Sequence, residues 1–146
     1  MKNNLARLST RALLMCGLAA VGFQLPAQAQ SLTTTSIPSS VVGTVRNGAA
    51  FTIKIANSGS VEAFGVVLKF TTPKGSKIAY PKNCYIVSSS TGAMQCMMGY
   101  IPVSGSQQLD FKITATKAGA YNTSFSAICT ADACSGGQVT VPISLN

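Results

Sequence analysis

From Ser39 onward, apolar residues in this chain recur at every second position, in one short run after another. A strand with one buried face imposes that period, because successive side chains point to opposite sides of a sheet. In AAFTIKIANSG, Phe51, Ile53 and Ile55 alternate with Thr52, Lys54 and Ala56. Phe64, Val66, Leu68 and Phe70 do the same around Lys69, and Leu109, Phe111 and Ile113 around Asp110 and Lys112. Tyr121, Thr123, Phe125, Ala127 and Cys129 share a further face, followed by Val139, Val141, Ile143 and Leu145. Turn chemistry separates the runs, at Asn47-Gly48, Asn57-Ser58-Gly59, Pro73-Lys74-Gly75, Thr91-Gly92, Ser104-Gly105-Ser106, Ala118-Gly119 and Gly136-Gly137. No helical stripe interrupts the pattern. The expectation is an all-β chain, an immunoglobulin-like antiparallel β-sandwich of seven to eight strands, with a closed barrel as the alternative. Pro142 cannot donate a ladder hydrogen bond, so the last strand should lie at an edge or leave that side free.

The first twenty-nine residues read as a cleaved export signal. Lys2, Arg7 and Arg11 precede the apolar run Ala12–Phe23, and Ala27-Gln28-Ala29 offers small residues for cleavage after Ala29. The apolar run is too short to span a bilayer, which takes about 20 residues, so no transmembrane segment is expected after cleavage. Cys16 lacks the small preceding residue of a lipoprotein signal. Residues 30–40 read as a lead-in or a first edge strand, and residues 41–146 as one sandwich domain, periplasmic or extracellular.

Charged residues make up only 10% of the chain, against about 25% in ordinary globular domains. After the leader, eight basic side chains face Glu62, Asp110 and Asp132, a net charge of +5. Such a charge serves solubility. Its one local concentration, Lys74, Lys77 and Lys82 with Tyr80 among them, is the candidate binding surface, suited to an anionic surface glycan or lipid head group. No arginine run or nucleic-acid motif is present, so nucleic acid is not an expected partner. An envelope protein is the other expected kind of partner.

The chain holds no histidine. That excludes the Ser-His-Asp and Cys-His arrangements and the two-His copper centre. The three carboxylates are isolated from one another in sequence, no S-x-x-K spacing opens a helix, and NGAA and SGGQ are turns rather than phosphate loops. No enzyme and no cofactor are expected. Tryptophan, the usual sugar platform, is absent, and Tyr80, Tyr85 and Tyr100 fit strand positions.

Four cysteines follow the leader: Cys84, Cys96, Cys129 and Cys134. An even number in an exported domain reads as two disulfides, and of the three pairings open to them, neighbours along the chain are expected to bond. Cys129 and Cys134, four residues apart with no helix N-terminus to acidify a thiol, read as a structural clip rather than a redox pair.

The span VRNGAAFTIKIANSGSVEAFGVVLKFTTPKG resembles the first half of a DUF11-type domain, a repeat module of bacterial secreted and surface proteins. The resemblance rests on Asn47-Gly48, Asn57-Ser58-Gly59, Val66-Val67 and Pro73-Lys74-Gly75, then on Cys84, Cys96 to Gly105, and Ala118 to Thr123. It covers about Val41 to Thr130 and implies an immunoglobulin-like fold with a structural or adhesive role. Thr71-Thr72 stands where the family has an Asp before its proline turn, which removes the acidic calcium site.

The resemblance also frames GAMQCMMGYIPVSG, the most sulfur-rich stretch. As the second strand of a hairpin, it puts Met94, Cys96 and Met98 on a buried face, Gln95 and Met97 on the other, and Cys96 across from Cys84. Soft sulfur ligands also suit Cu(I), so a soft-metal carrier built from Met94, Cys96, Met97 and Met98 is one alternative function. A pilus or fibre subunit donating Ser31–Ile37 to a neighbour's sheet is the other. The expected role is a non-enzymatic structural, adhesive or binding module of the bacterial envelope. Its oligomeric state is left open.

Overall fold

A computed structural model describes residues 30–131 and 134–146, so the proposed leader and Asp132 lie outside the described residues. Every element among the described residues is a strand: β1 (Leu32–Ile37), β2 (Val41–Gly43), β3 (Ala49–Asn57), β4 (Ala63–Thr71), β5 (Ser76–Ala79), β6 (Cys84–Ser88), β7 (Ala93–Ile101), β8 (Ser106–Ala115), β9 (Gly119–Cys129) and β10 (Ser135–Leu145). Among the described residues, ten strands stand where seven or eight were expected. The surplus comes from short pieces: β2 has three residues and β5 four. Periodicity needs a longer run than that to declare itself. No helix among the described residues is long and apolar enough to cross a membrane.

The strands follow one hydrogen-bonded path, β5-β8-β3-β1-β10-β9-β4-β7-β6, with β2 added to β10. Two antiparallel ladders, one running from β5 to β1 and one from β10 to β6, meet only at the parallel pair Leu32↔Gly136. The path curls around a shared core and stays open, with β5 and β6 as its two ends. It is neither a closed barrel nor two separate sheets. β1 lies inside this path, between β3 and β10, rather than at an edge. Ile37 is its last partner on β3 (Ile37↔Thr52); a cis Ile37-Pro38 peptide follows, and Val41 then pairs with Ile143 on β10. Residues 38–40 thus carry the chain from one ladder to the other. Pro142 sits on β10 between the β1 contact at Gly136 and the β2 contact at Ile143, on a strand that is internal.

Four phenylalanines centre the core. Phe51, Phe70, Phe111 and Phe125 pack with ring centroids 5.0–5.8 Å apart. Ile53, Ile55, Leu68, Ile113, Ile143 and Leu145 are buried around them. Each such side chain removed from water is worth about 1.5–3 kcal/mol, so the alternation read from the sequence is the main source of stability. Phe64 is the exception: it is 46% exposed. The register between β4 and β7 shifts on both sides of Val66↔Gly99, and Gly65 (φ 61°) and Gly99 (φ 75°) occupy the left-handed region that the bulge requires. The bulge turns Phe64 and Tyr100 outward together, with centroids 5.1 Å apart.

One polar residue ties two loops and the end of β7 to this core. Asn57, 2% exposed at the end of β3, donates from Nδ2 to the carbonyls of Val61 (2.8 Å) and Ile101 (3.2 Å). Its Oδ1 accepts from Gly59 N–H at 3.0 Å. Its backbone is bonded to Ser104 and Gly105. Read from the sequence as a turn residue, Asn57 is a buried clamp.

Candidate functional site

The sulfur stretch forms β7 and alternates as its period requires. Met94, Cys96 and Met98 are buried, whereas Met97 is 48% exposed on the opposite face. Cys96 stands across from Cys84 in the β6–β7 ladder and is bonded to it, with Cα atoms 3.8 Å apart. The four sulfurs proposed for Cu(I) therefore share no surface, and the thiolate they would need is a disulfide. Exposed Met97 has a structural account: it is registered beside Val67, which is followed by Ile128 on the next strand. Val67 is only 2% exposed although it points away from the core, so these neighbours cover it. Cys129 and Cys134 form the second bridge, Cα atoms 5.1 Å apart, and Cys129 N–H donates to the Cys134 carbonyl at 3.1 Å. This clip closes the β9–β10 connection.

The lysine cluster spreads along one sheet edge instead of converging. Lys74 lies in the turn before β5, Lys77 on β5 opposite Thr114, and Tyr80 and Lys82 beyond its far end. At about 3.3 Å per residue the three steps from Lys77 to Tyr80 separate the two halves by roughly 10 Å. Lys74 and Lys77 belong to a surface that the sequence does not announce. The β4–β5 turn and the β6–β7 turn enclose a cleft of ≈ 700 Å³, lined by Thr71, Thr72, Lys74, Ser76 and the hydroxyl run Ser89 to Thr91. On the other side of the same turn, Ser76, Lys77 and Thr114 to Thr116 line a second depression of ≈ 460 Å³.

Local bonds fix the walls of the main cleft. Thr72 N–H donates to the Gly92 carbonyl at 2.9 Å, tying one turn to the other. Gly92 holds φ 67°, and a Cβ there would meet the Thr72 carbonyl at 3.1 Å. Ser76 Oγ donates to the Pro73 carbonyl at 2.7 Å and tightens the turn that carries Lys74. Thr123 Oγ1 donates to the Thr71 carbonyl at 2.9 Å and anchors the cleft floor to β9. The result is a pre-shaped, hydroxyl-rich groove with the exposed ammonium group of Lys74 at its rim. The signal missed in the sequence is the serine and threonine content of two turns distant along the chain.

The two described carboxylates are engaged elsewhere. Asp110 accepts from Thr52 Oγ1 at 2.6 Å, and Glu62 from the Tyr100 phenol at 2.7 Å. The hydrogen bond to Glu62 raises the Tyr100 pKa above the ordinary tyrosine value, helped by desolvation and by the carboxylate charge. Tyr85 donates to Gln95 Oε1 at 3.0 Å on the outer face. Among the described residues no group of three or more Cys, Asp or Glu comes together as a metal-binding set.

These features define an all-β, disulfide-bridged domain of immunoglobulin-like type. Among solved structures the chain is similar to the CARDB domain of a Pyrococcus furiosus protein, solved in complex with di-metal ions, at 15% identity and a TM-score of 0.56, over 80% of this chain and 89% of that one. At that identity the likeness is one of fold. SSP-19, an MSP-domain-like protein of Caenorhabditis elegans, matches at 20% identity and a TM-score of 0.41, over 77% of this chain and 98% of that one. No family model and no curated protein matches the chain.

Proposed function

We propose that the protein is an exported, non-enzymatic binding module of the bacterial envelope, related to DUF11-type domains, that recognises anionic surface polysaccharide through the cleft between the β4–β5 and β6–β7 turns. The observation that carries this reading is the cleft itself: hydroxyls from two chain segments converge beneath Lys74, with Lys77 behind it. Hydroxyls offer donors and acceptors to sugar rings, and the ammonium groups select acidic ones. Export is supported by the leader-like residues 1–29 and by two disulfides, which persist in oxidising compartments. The Pyrococcus domain was solved with two metal ions; no comparable ligand set comes together among the described residues here, so metal has no part in the proposal. The fibre reading gains no support from β1, which pairs with β3 over six residues within its own chain.

The test is calorimetric titration of the protein with an acidic and a matched neutral polysaccharide. The acidic polymer should bind and the neutral one should not. Lys74→Ala with Lys77→Ala should weaken binding up to about thirtyfold, since each exposed charge contributes up to about 1 kcal/mol. Raising salt should weaken it as well. Equal affinity for both polymers, or binding indifferent to both lysines, would defeat the reading.

A further inference from the structure

The open path has two edges, and they are guarded very differently. A sheet edge presents unpaired N–H and C=O groups, and proteins normally protect it with lysine, proline or shortness. β5 follows that practice: it is four residues long, carries Lys77, and is flanked by Lys74 and Lys82. β6 does not. Its Tyr85, Ile86 and Val87 are 47%, 57% and 52% exposed, and no charged residue occurs between Asn83 and Leu109.

We infer that β6 is a self-association edge, pairing antiparallel with β6 of a second copy of this chain about a twofold axis at Ile86. The inference is independent of the polysaccharide reading. Three observations select a second copy as the occupant. The first is backbone direction. Met97 N–H donates to the Asn83 carbonyl, which makes Asn83/Met97 a hydrogen-bonded pair of the ladder. Alternation then makes Cys84/Cys96 a non-bonded pair, as their 3.8 Å separation also indicates, and Ile86/Met94 another. The backbone N–H and C=O of Ile86 therefore point away from β7, toward the free edge. Two copies of Ile86 can exchange both bonds.

The second observation is self-complementarity. Centring the axis on Ile86 sets Tyr85 against the partner's Val87 on the outer face and Val87 against the partner's Tyr85. Aromatic and β-branched residues are favourable cross-strand pairs. The third is charge. A chain with a net charge of +5 beyond its leader repels its own copies, and this uncharged span is where that repulsion is least. A bulge between Ile86 and Ser88 limits the regular match to a few residues a side. Such a contact buries less than the ~800 Å² per partner of a standard interface, so the dimer should be reversible, half-formed between about 10 µM and about 1 mM.

Sedimentation equilibrium on the protein, expressed as the full chain and purified with its disulfides oxidised, tests this. The wild type should shift from monomer to dimer across that concentration range. Ile86→Lys, a change at an exposed position that sets two like charges across the axis, should remain monomeric with an unchanged melting temperature. Val42→Lys, at a residue 71% exposed on β2, should dimerise like the wild type. Amide exchange supplies the second readout: the Ile86 N–H should gain protection as concentration rises, while the Tyr85 N–H, already directed into the β7 ladder, should not change. A wild type still monomeric at about 1 mM, a dimer that survives Ile86→Lys, or concentration-dependent protection confined to strands other than β6 would each overturn the inference.

Discussion

Replacing Asn57 by alanine should destabilise the protein more than any comparable change at its surface. The side chain is 2% exposed and uses its whole amide, with two donations to the Val61 and Ile101 carbonyls and one acceptance from Gly59 N–H. Val61 and Gly59 are half-buried and water can partly replace those bonds at modest cost. Ile101 is fully buried, so its carbonyl loses a partner that water cannot replace. Two net bonds at about 1 kcal/mol each, and an orphaned acceptor at about 1–3 kcal/mol, bring the expected loss to roughly 3–5 kcal/mol. For a chain of this size that is a fall in melting temperature of about 12–20 °C, at about 4 °C per kcal/mol. Asn57→Asp sharpens the test. It keeps the acceptor toward Gly59 but turns an oxygen toward two carbonyls, which raises the folded-state pKa of the new carboxyl above its unfolded value of about 3.9. The ionisation penalty is then absent below about pH 3.9 and grows as pH rises through the folded pKa. Relative to wild type, the variant should therefore recover stability on acidification, as the alanine variant does not. Calorimetric melting of the three proteins from pH 3 to 8 reads both effects. A loss under about 1 kcal/mol for alanine, or an aspartate variant with no pH dependence beyond that of alanine, would refute the clamp and the amide orientation it assigns.

Three further outcomes follow from single features. Thr34 Oγ1 is buried on β1 without a hydrogen-bond partner, so Thr34→Val should raise stability by about 1 kcal/mol in calorimetry; a loss would mean that the hydroxyl is satisfied. Removing the Cys84–Cys96 bridge by double alanine substitution should cost about 3 kcal/mol in denaturant unfolding, against about 2 kcal/mol for Cys129–Cys134, because their sequence separations are 12 and 5; the reverse order would contradict the loop-closure account. Glu62→Gln should lower the Tyr100 pKa toward its ordinary value, seen in the ultraviolet titration of the phenols. Because that pKa is raised in the folded state, the contact's contribution to stability is present below about pH 10 and lost as pH rises through the folded value.

Where one face of a strand is buried over six or more residues, its period of two was legible, and Phe51, Ile53 and Ile55 are buried as it requires. The local cysteine pairing was legible for a related reason, since a hairpin brings neighbouring strands into register. Phe64 was not, because a bulge advances the alternation by one residue, and the glycines that permit it look like any others until their φ angles are known. β2 and β5 were too short to show a period. Asn57 reads as turn composition because an asparagine beside serine and glycine usually caps a turn. What distinguishes it is Ile101, forty-four residues away, bringing a buried carbonyl to its amide.

The lysine stretch shows why the site was harder to read than the fold. Alternation tells which face of a strand is buried but not which strand ends a sheet, and Lys77 takes its meaning from position. On an internal strand it would be one solvated charge among several. On β5 it blocks edge-to-edge pairing and lines the smaller depression behind the turn, while Lys74 borders the cleft formed when the β6–β7 turn folds alongside. Edge protection alone would account for lysine on β5, but not for hydroxyls converging from Thr71, Ser76 and Ser89 to Thr91 beside Lys74 in the preceding turn. Exposed β6 poses the inverse case: the same protection is missing where topology calls for it. Solubility selects against a bare apolar edge, and the residues that leave β6 bare are also matched to one another across a twofold axis. Lysines at the protected edge and their absence at the open one therefore divide the surface into a cationic side, which holds the cleft proposed for a ligand, and an uncharged edge, the one proposed for a copy of the chain.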